Sequence, residues 1–197
     1  DYNTILKTLS VQQVKRKTIT ITFPEGYTAV AIAQKMEENG LCSVDDFLAC
    51  ANGEDGSDFS QYDFWNAIPD TEGRLMKCEG YLFPDTYEFY VGHNAEDALD
   101  RLIRNFVSRM DEDRMTQVEE SSYSLQEIIT IASLIEEETD GTDQANIASV
   151  IYNRLEGSGN KQGTYGLLQI DASLLYALPD HTGPITSADM QTDSPYN

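Results

Sequence analysis

From Ser124 the chain reads SLQEIITIASLIEEET, and no other stretch constrains the fold as strongly. Ser124 followed three residues later by Glu127 is a capping box, in which each side chain satisfies a backbone N–H at the start of a helix. Apolar residues then recur at helical spacing, so this helix must lay one side on a core. At about 100° per residue, with Ile128 at zero, Leu125, Ile131, Ala132 and Ile135 fall within roughly 60° of it and define the expected buried stripe. On the same wheel Glu136, Glu137 and Glu138 fall at roughly 80°, 180° and 280°. Glu137 is therefore expected in water, whereas Glu136 and Glu138 stand on opposite borders of the apolar side. A partly desolvated carboxyl holds its proton more tightly, which suits general acid work, and the wheel leaves both glutamates open for it. The plainer alternative is an amphipathic helix with an acidic last turn. Acids there oppose the helix dipole by about 0.3–1 kcal/mol each, and such local conflicts concentrate at functional sites.

Around this helix the text alternates strand and helix signals. Thr18 to Phe23 (TITITF) alternates as a half-buried strand, and Pro24-Glu25-Gly26 turns it. A helix follows, capped by Thr28 and stopped at Gly40, with Ala29, Val30, Ile32, Ala33 and Met36 on its apolar side. Ser43 to Asp46 opens a second short helix through about Ala51. Residues 52–70 break all periodicity and read as a loop or boundary. EGYLFPDTYEFY at 79–90 reads as a strand broken at Pro84-Asp85, and Asn94 with Asp97 starts a long helix striped by Ala98, Leu102, Phe106 and Met110 beside Leu99, Ile103 and Val107. A further helix from about Thr142 to Leu155 is expected to bury Ile147, Val150, Ile151 and Leu155 and to stop at Gly157, and a short one covers Ala172 to Ala177.

Charge narrows the partners. The chain has 197 residues and a net charge of −21, from 34 acidic against 13 basic residues. Lys15, Arg16 and Lys17 form its only basic cluster, so no nucleic-acid partner is expected. Cys42, Cys50 and Cys78 fit no zinc spacing, and with only His93 and His181 no metal or other cofactor is expected. The acids of residues 52–70 lack the spacing of an EF-hand loop. No credible histidine partners a serine or cysteine nucleophile, and dinucleotide and P-loop signatures are absent. No apolar run is long enough to span a bilayer. Both ends lie in polar text without a cap or turn, so the chain reads as a piece of a longer protein.

Five blocks in order carry a resemblance: EGYLFPDTYEF at 79–89, ASLIEEET at 132–139, IASVIYNRL at 147–155, LQIDASLLYAL at 168–178 and SPYN at 194–197. Together they resemble the YceG-like (MltG) family of endolytic murein transglycosylases. The strand–turn–helix unit at 18–41 is similar to that family's LysM-like subdomain. The resemblance implies an α+β fold, with a lead-in over residues 1–17, a LysM-like unit and acidic linker over 18–70, and a mainly helical catalytic domain with a few strands over 71–197, incomplete at its C-terminal end. It also chooses between the two glutamates, since the family's E-x-E-T block puts its catalytic acid on Glu138 and gives Glu136 a supporting place.

The implied substrate is the peptidoglycan glycan strand, cut between N-acetylmuramic acid and N-acetylglucosamine to leave 1,6-anhydro ends. Asn153, Gln169, Asp171, Tyr196 and Asn197 are implied to bind sugar or orient Glu138, and Glu79, Asp85 and Tyr87 to line the cleft. The family also implies a single-pass anchor before this chain, a place on the extracytoplasmic face of a bacterial membrane, and cell-wall synthesis proteins as further partners. Two departures stand out: the link between Leu155 and Leu168 is longer than usual, and Ala172 stands where proline is common. The rival readings are a non-catalytic glycan-binding module and a scaffold in a wall-synthesis complex.

Overall fold

The computed structural model describes residues 17–156 and 167–197. Lys15 and Arg16, the Gly157 stop and most of the longer link before Leu168 lie outside the described residues. The architecture is α+β, a two-stranded antiparallel sheet among helices. β1 (Thr18–Phe23) pairs with β2 (Asp85–Tyr90), with Thr18 opposite Tyr90 and Phe23 opposite Asp85. The alternation does what its period predicts: Ile21, Phe23, Tyr87 and Phe89 point into the core. On the other face Thr18 donates to Glu88 at 2.8 Å, and the Thr22 and Thr86 hydroxyls meet at 2.8 Å.

Between the strands lie α1 (Ala29–Glu38), α2 (Val44–Asn52) and α3 (Asp63–Ala67), and after them comes α4 (Ala95–Arg109). Thr28, Ser43 and Asn94 cap α1, α2 and α4 by accepting from Ala31, Asp46 and Asp97 N–H groups, as their positions in the sequence require. Val30 and Val107 are the exceptions to the expected stripes; both are exposed. The aperiodic segment 52–70 is not simply loop. It holds α3 and sends Phe59, Phe64, Trp65 and Ile68 into the core, where Phe64 stacks on Tyr81 at 4.9 Å and meets Phe106 at 5.1 Å. Its acids and glycines hide these four apolar residues from any periodicity test, and α3 lacks a side-chain cap that would mark its start.

Residues 79–84 are not strand, contrary to expectation. Tyr81 N–H closes a turn onto the Cys78 carbonyl, Gly80 takes φ +85°, and pairing starts only at Asp85. α5 (Glu112–Glu120), capped by Asp111, was not legible in the sequence because it buries none of its residues. α6 (Leu125–Glu138), α7 (Gln144–Glu156), α8 (Asp171–Ala177) and a 3₁₀ turn (Asp189–Gln191) complete the described elements. No helix among the described residues is long and apolar enough to cross a membrane.

The apolar side chains form two clusters. The large one joins both strands to α1–α4, and the small one holds Ile131, Leu134 and Ile151, flanked by Tyr123, Ile135, Ile147, Tyr152, Leu168 and Ile170. α6 serves both. Leu125 and Ile129 pack on the large cluster, Ile131 and Leu134 in the small one. A wheel centred on Ile128 averages these two sides, and for that reason it places Ala132 inside when Ala132 is in fact exposed. Val150 and Leu155 of α7, expected inside, are each 44% exposed.

Candidate functional site

α6 and α7 form an antiparallel hairpin. Tyr123, just before α6, meets Tyr152 of α7 at 5.3 Å and reaches Glu156 through its hydroxyl, so the far end of α7 lies beside the start of α6. The near end is the turn after Glu138, and it is tightly bonded. The Thr139 hydroxyl accepts from Gly141 N–H at 3.0 Å and donates to Asp143 at 2.7 Å, while Asp140 holds Thr142. Thr139 and Asp143 thus fix the exit of the helix that ends in Glu138. Neither is among the site residues that the motif blocks imply, although the polar run TDGTD carries the signal of side-chain-closed turns.

Glu136, Glu137 and Glu138 are all exposed, so the expected partial desolvation is absent from the described surroundings. Their directions still differ. Glu138 continues the line of Ile131 and Leu134, one turn past the small cluster. Glu136 continues the line of Leu125 and Ile129, and a Glu137 carboxylate oxygen lies 3.9 Å from where a Cβ on Gly26 would stand, in the turn after β1. The last turn of α6 carries no basic residue, so the helix dipole is opposed without local compensation. Among the described residues nothing donates to the Glu138 carboxylate.

The LQID block lies against this hairpin. Leu168 and Ile170 pack into the small cluster, the Arg154 guanidinium donates to the Leu168 carbonyl, and Gln169 between them points to solvent at φ +52°. A non-glycine residue at positive φ is a local strain held by its neighbours, here the two anchored flanks. Asp171 follows as the exposed first residue of α8. Asn153 is exposed on α7, but nine residues past Gln144 puts it roughly 13 Å along the axis from the Glu138 end.

The other candidates are engaged elsewhere. Asp85 accepts from Thr86 N–H at 2.8 Å, Asn105 at 3.0 Å and Arg109 at 2.8 Å, and these bonds, the Thr86 N–H foremost, hold its carboxyl below the usual range. The Tyr87 hydroxyl donates to the Phe83 carbonyl and accepts from Asn105. Both therefore tie β2 to α4. Glu79 accepts from Ala29 N–H and from the Tyr176 hydroxyl, which joins α1 to α8. Tyr196 stacks edge-on against Tyr176 and accepts from Leu75 N–H, and Asn197 donates to the Met190 and Thr192 carbonyls.

Two surface depressions of about 380 and 350 Å³ lie on the large-cluster side, one near Cys42 and Asn94, the other near Arg74 and Lys77. Neither is lined by a candidate site residue. The three cysteines are free thiols, and among the described residues no three His, Cys, Asp or Glu side chains converge as a metal site would need.

Comparison with known proteins gives concordant matches. The profile of the YceG-like family matches residues 1–197. An endolytic murein transglycosylase of Bacillus subtilis is 36% identical over 184 residues, covering 90% of this chain and 48% of that protein. One of Streptococcus pneumoniae is 29% identical over 188 residues, covering 90% of this chain and 34% of that protein. A crystal structure of a yceG-like protein from Listeria monocytogenes superposes with a TM-score of 0.76 at 26% identity, covering 100% of this chain and 64% of that one. The chain thus spans a third to a half of the curated relatives it matches.

Proposed function

Because the chain belongs to the YceG-like family, we propose that it is part of an endolytic murein transglycosylase with Glu138 as its acid and base. The observation that carries this reading is likeness to proteins of that name along nine-tenths of the chain. The substrate is the peptidoglycan glycan strand. Glu138 gives its proton to the glycosidic oxygen as the bond from the muramyl anomeric carbon breaks. Its carboxylate then takes the proton of the muramyl 6-hydroxyl, whose oxygen closes on the anomeric carbon as a 1,6-anhydro ring. Glu138 ends protonated, as it began, and no water is consumed. Since the nucleophile belongs to the substrate, the paired carboxylates of a hydrolysing glycosidase are not required. An exposed carboxylate without a described protein partner fits a group that must bond a sugar.

Gln169 and Asp171, in solvent beside the hairpin, are proposed to hold sugar hydroxyl and N-acetyl groups, with Glu136 supporting Glu138. Asn153 suits a contact farther along the strand. The unit over residues 18–70, with its acidic linker, is proposed to be LysM-like and to grip glycan at a distance from the cut. Peptidoglycan lies outside the cytoplasmic membrane, so the reading puts this chain on that side, among the wall-synthesis proteins.

The test is muropeptide analysis of purified glycan strands incubated with the full-length protein and with its Glu138→Gln variant. Anhydro-muramyl ends are expected from the former and none from the latter. The exposure of Glu138 favours one other reading, a glycan-binding module. Strands that are bound but left uncut by both proteins would establish it instead.

A further inference from the structure

The EGY block is a joint between the two clusters. Glu79 sits mostly buried at the start of α1, where both carboxylate oxygens accept from Ala29 N–H, at 2.9 and 3.2 Å. That N–H is one of the helix-start donors with no partner inside the helix, and a negative charge is favoured there. Gly80 lies against Ile129 of α6, and the Tyr81 hydroxyl donates to Gln126 of the same helix at 3.1 Å. On its other side Glu79 receives the Tyr176 hydroxyl at 2.8 Å. Residues 79–81 therefore touch α1, α6 and α8 within three positions.

For α8 this contact has leverage. The helix has seven residues and buries only Leu174, so few other contacts locate its C-terminal end. Its N-terminal end is continuous with Gln169 and Asp171, and Leu168 and Ile170 seat that end on the α6–α7 hairpin. Tyr196 adds to the same corner, its ring 5.1 Å from Tyr176 and its hydroxyl accepting from Leu75 N–H. Burial and the neighbouring Glu79 push the Tyr176 phenol far above its ordinary value, so it stays a donor. Neither Glu79 nor Tyr176 has a place in the proposed chemistry.

We propose that the Glu79–Tyr176 pair is a positioning device, which sets α8, and with it Gln169 and Asp171, against the helix that carries Glu138. The inference rests on the sugar-binding role proposed above for those two residues, and it turns Glu79 from a cleft-lining residue into one that acts through Tyr176.

The test measures affinity for purified glycan strands by calorimetry in the full-length protein carrying Glu138→Gln, which is not asked to turn over. Adding Tyr176→Phe keeps the ring on Tyr196 and removes only the donor. It is expected to weaken binding roughly five- to tenfold, as when α8 keeps its seated position for only about a tenth to a fifth of the time, and to lower the melting temperature by a few degrees, since the same bond also holds the fold. Glu79→Ala should do the same. Glu79→Gln keeps its one acceptor oxygen on Ala29 N–H while its amide nitrogen donates to the Tyr176 hydroxyl, so it retains the link and should restore most of the affinity. In a background lacking the Gln169 and Asp171 side chains, Tyr176→Phe should cost nothing further. Full affinity in Tyr176→Phe, or an undiminished loss in that background, would overturn the proposal. Absence of anhydro ends from wild-type protein would sink the enzymatic reading alone, whereas a parent without glycan affinity would sink both.

Discussion

Replacing Gly80 by alanine tests how the two clusters are held together. The residue takes φ +85°, and an added Cβ would lie 2.5 Å from the Ile129 Cγ2 methyl. An L-residue in left-handed backbone costs about 1–2 kcal/mol. Forcing a methyl into a packed contact adds about 1–3 kcal/mol, because Ile129 is fixed on α6 between Leu125 and the large cluster. The expected loss is therefore about 2–5 kcal/mol, and for a chain of this size it lowers the melting temperature by roughly 4–20 °C. Urea unfolding followed by circular dichroism measures it. A cycle with Ile129→Ala separates the two causes: removing the methyl should recover the packing part, about 1–3 kcal/mol of coupling, and leave the backbone part in place. A Gly80→Ala loss below about 1 kcal/mol, or strict additivity with Ile129→Ala, would refute the close approach of this loop to α6.

Three further outcomes follow from the same geometry. Gln169→Gly relieves a positive φ and should raise stability by roughly 0.5–1 kcal/mol in thermal melts while weakening glycan binding; a destabilised variant would refute the strain. Burial raises the folded-state pKa of Glu79, against the bonds from Tyr176 and Ala29, so the folded protein holds this proton more tightly than the unfolded chain. Stability should accordingly fall as pH rises from the unfolded value of 4.5 through the higher folded one, and comparison with Glu79→Gln across that window should show the fall only in wild type. Burial pushes Cys42 up to about 11 and Cys50 to about 12, so native protein at pH 8 should react with thiol reagents far more slowly than unfolded protein, and all three thiols should titrate after unfolding without reductant. Fewer than three would reveal a disulfide.

Most structure that follows from neighbours in the chain was legible in the sequence; α5, capped by Asp111 but burying none of its residues, is the exception. Thr28, Ser43, Asn94 and the Ser124–Glu127 box mark helix starts because a cap is a bond across three residues. The TITITF alternation marks a strand because its period is two. Residues 59–68 show the limit: Phe59, Phe64, Trp65 and Ile68 are core by virtue of partners such as Tyr81 and Phe106, which no local pattern announces. The candidate site divides in the same way. The five motif blocks identify the family and single out Glu138, yet all three residues implied to line the cleft, Glu79, Asp85 and Tyr87, bond their own fold.

The sequence by itself thus determined the helices other than α3 and α5, the first strand, the family and the candidate acid, since each is written in spacing a few residues long or in an ordered set of motifs. Tertiary structure alone decided that α6 has two packed sides, that β1 pairs with a strand more than sixty residues later, and that Glu79 belongs to a joint. Burial and hydrogen-bond partnership are properties of pairs distant in the chain, and a helical wheel drawn on one segment assigns it a single inside. For α6, with a cluster on either side, that assumption fails, and only the packed chain shows which line of the helix leads to Glu138.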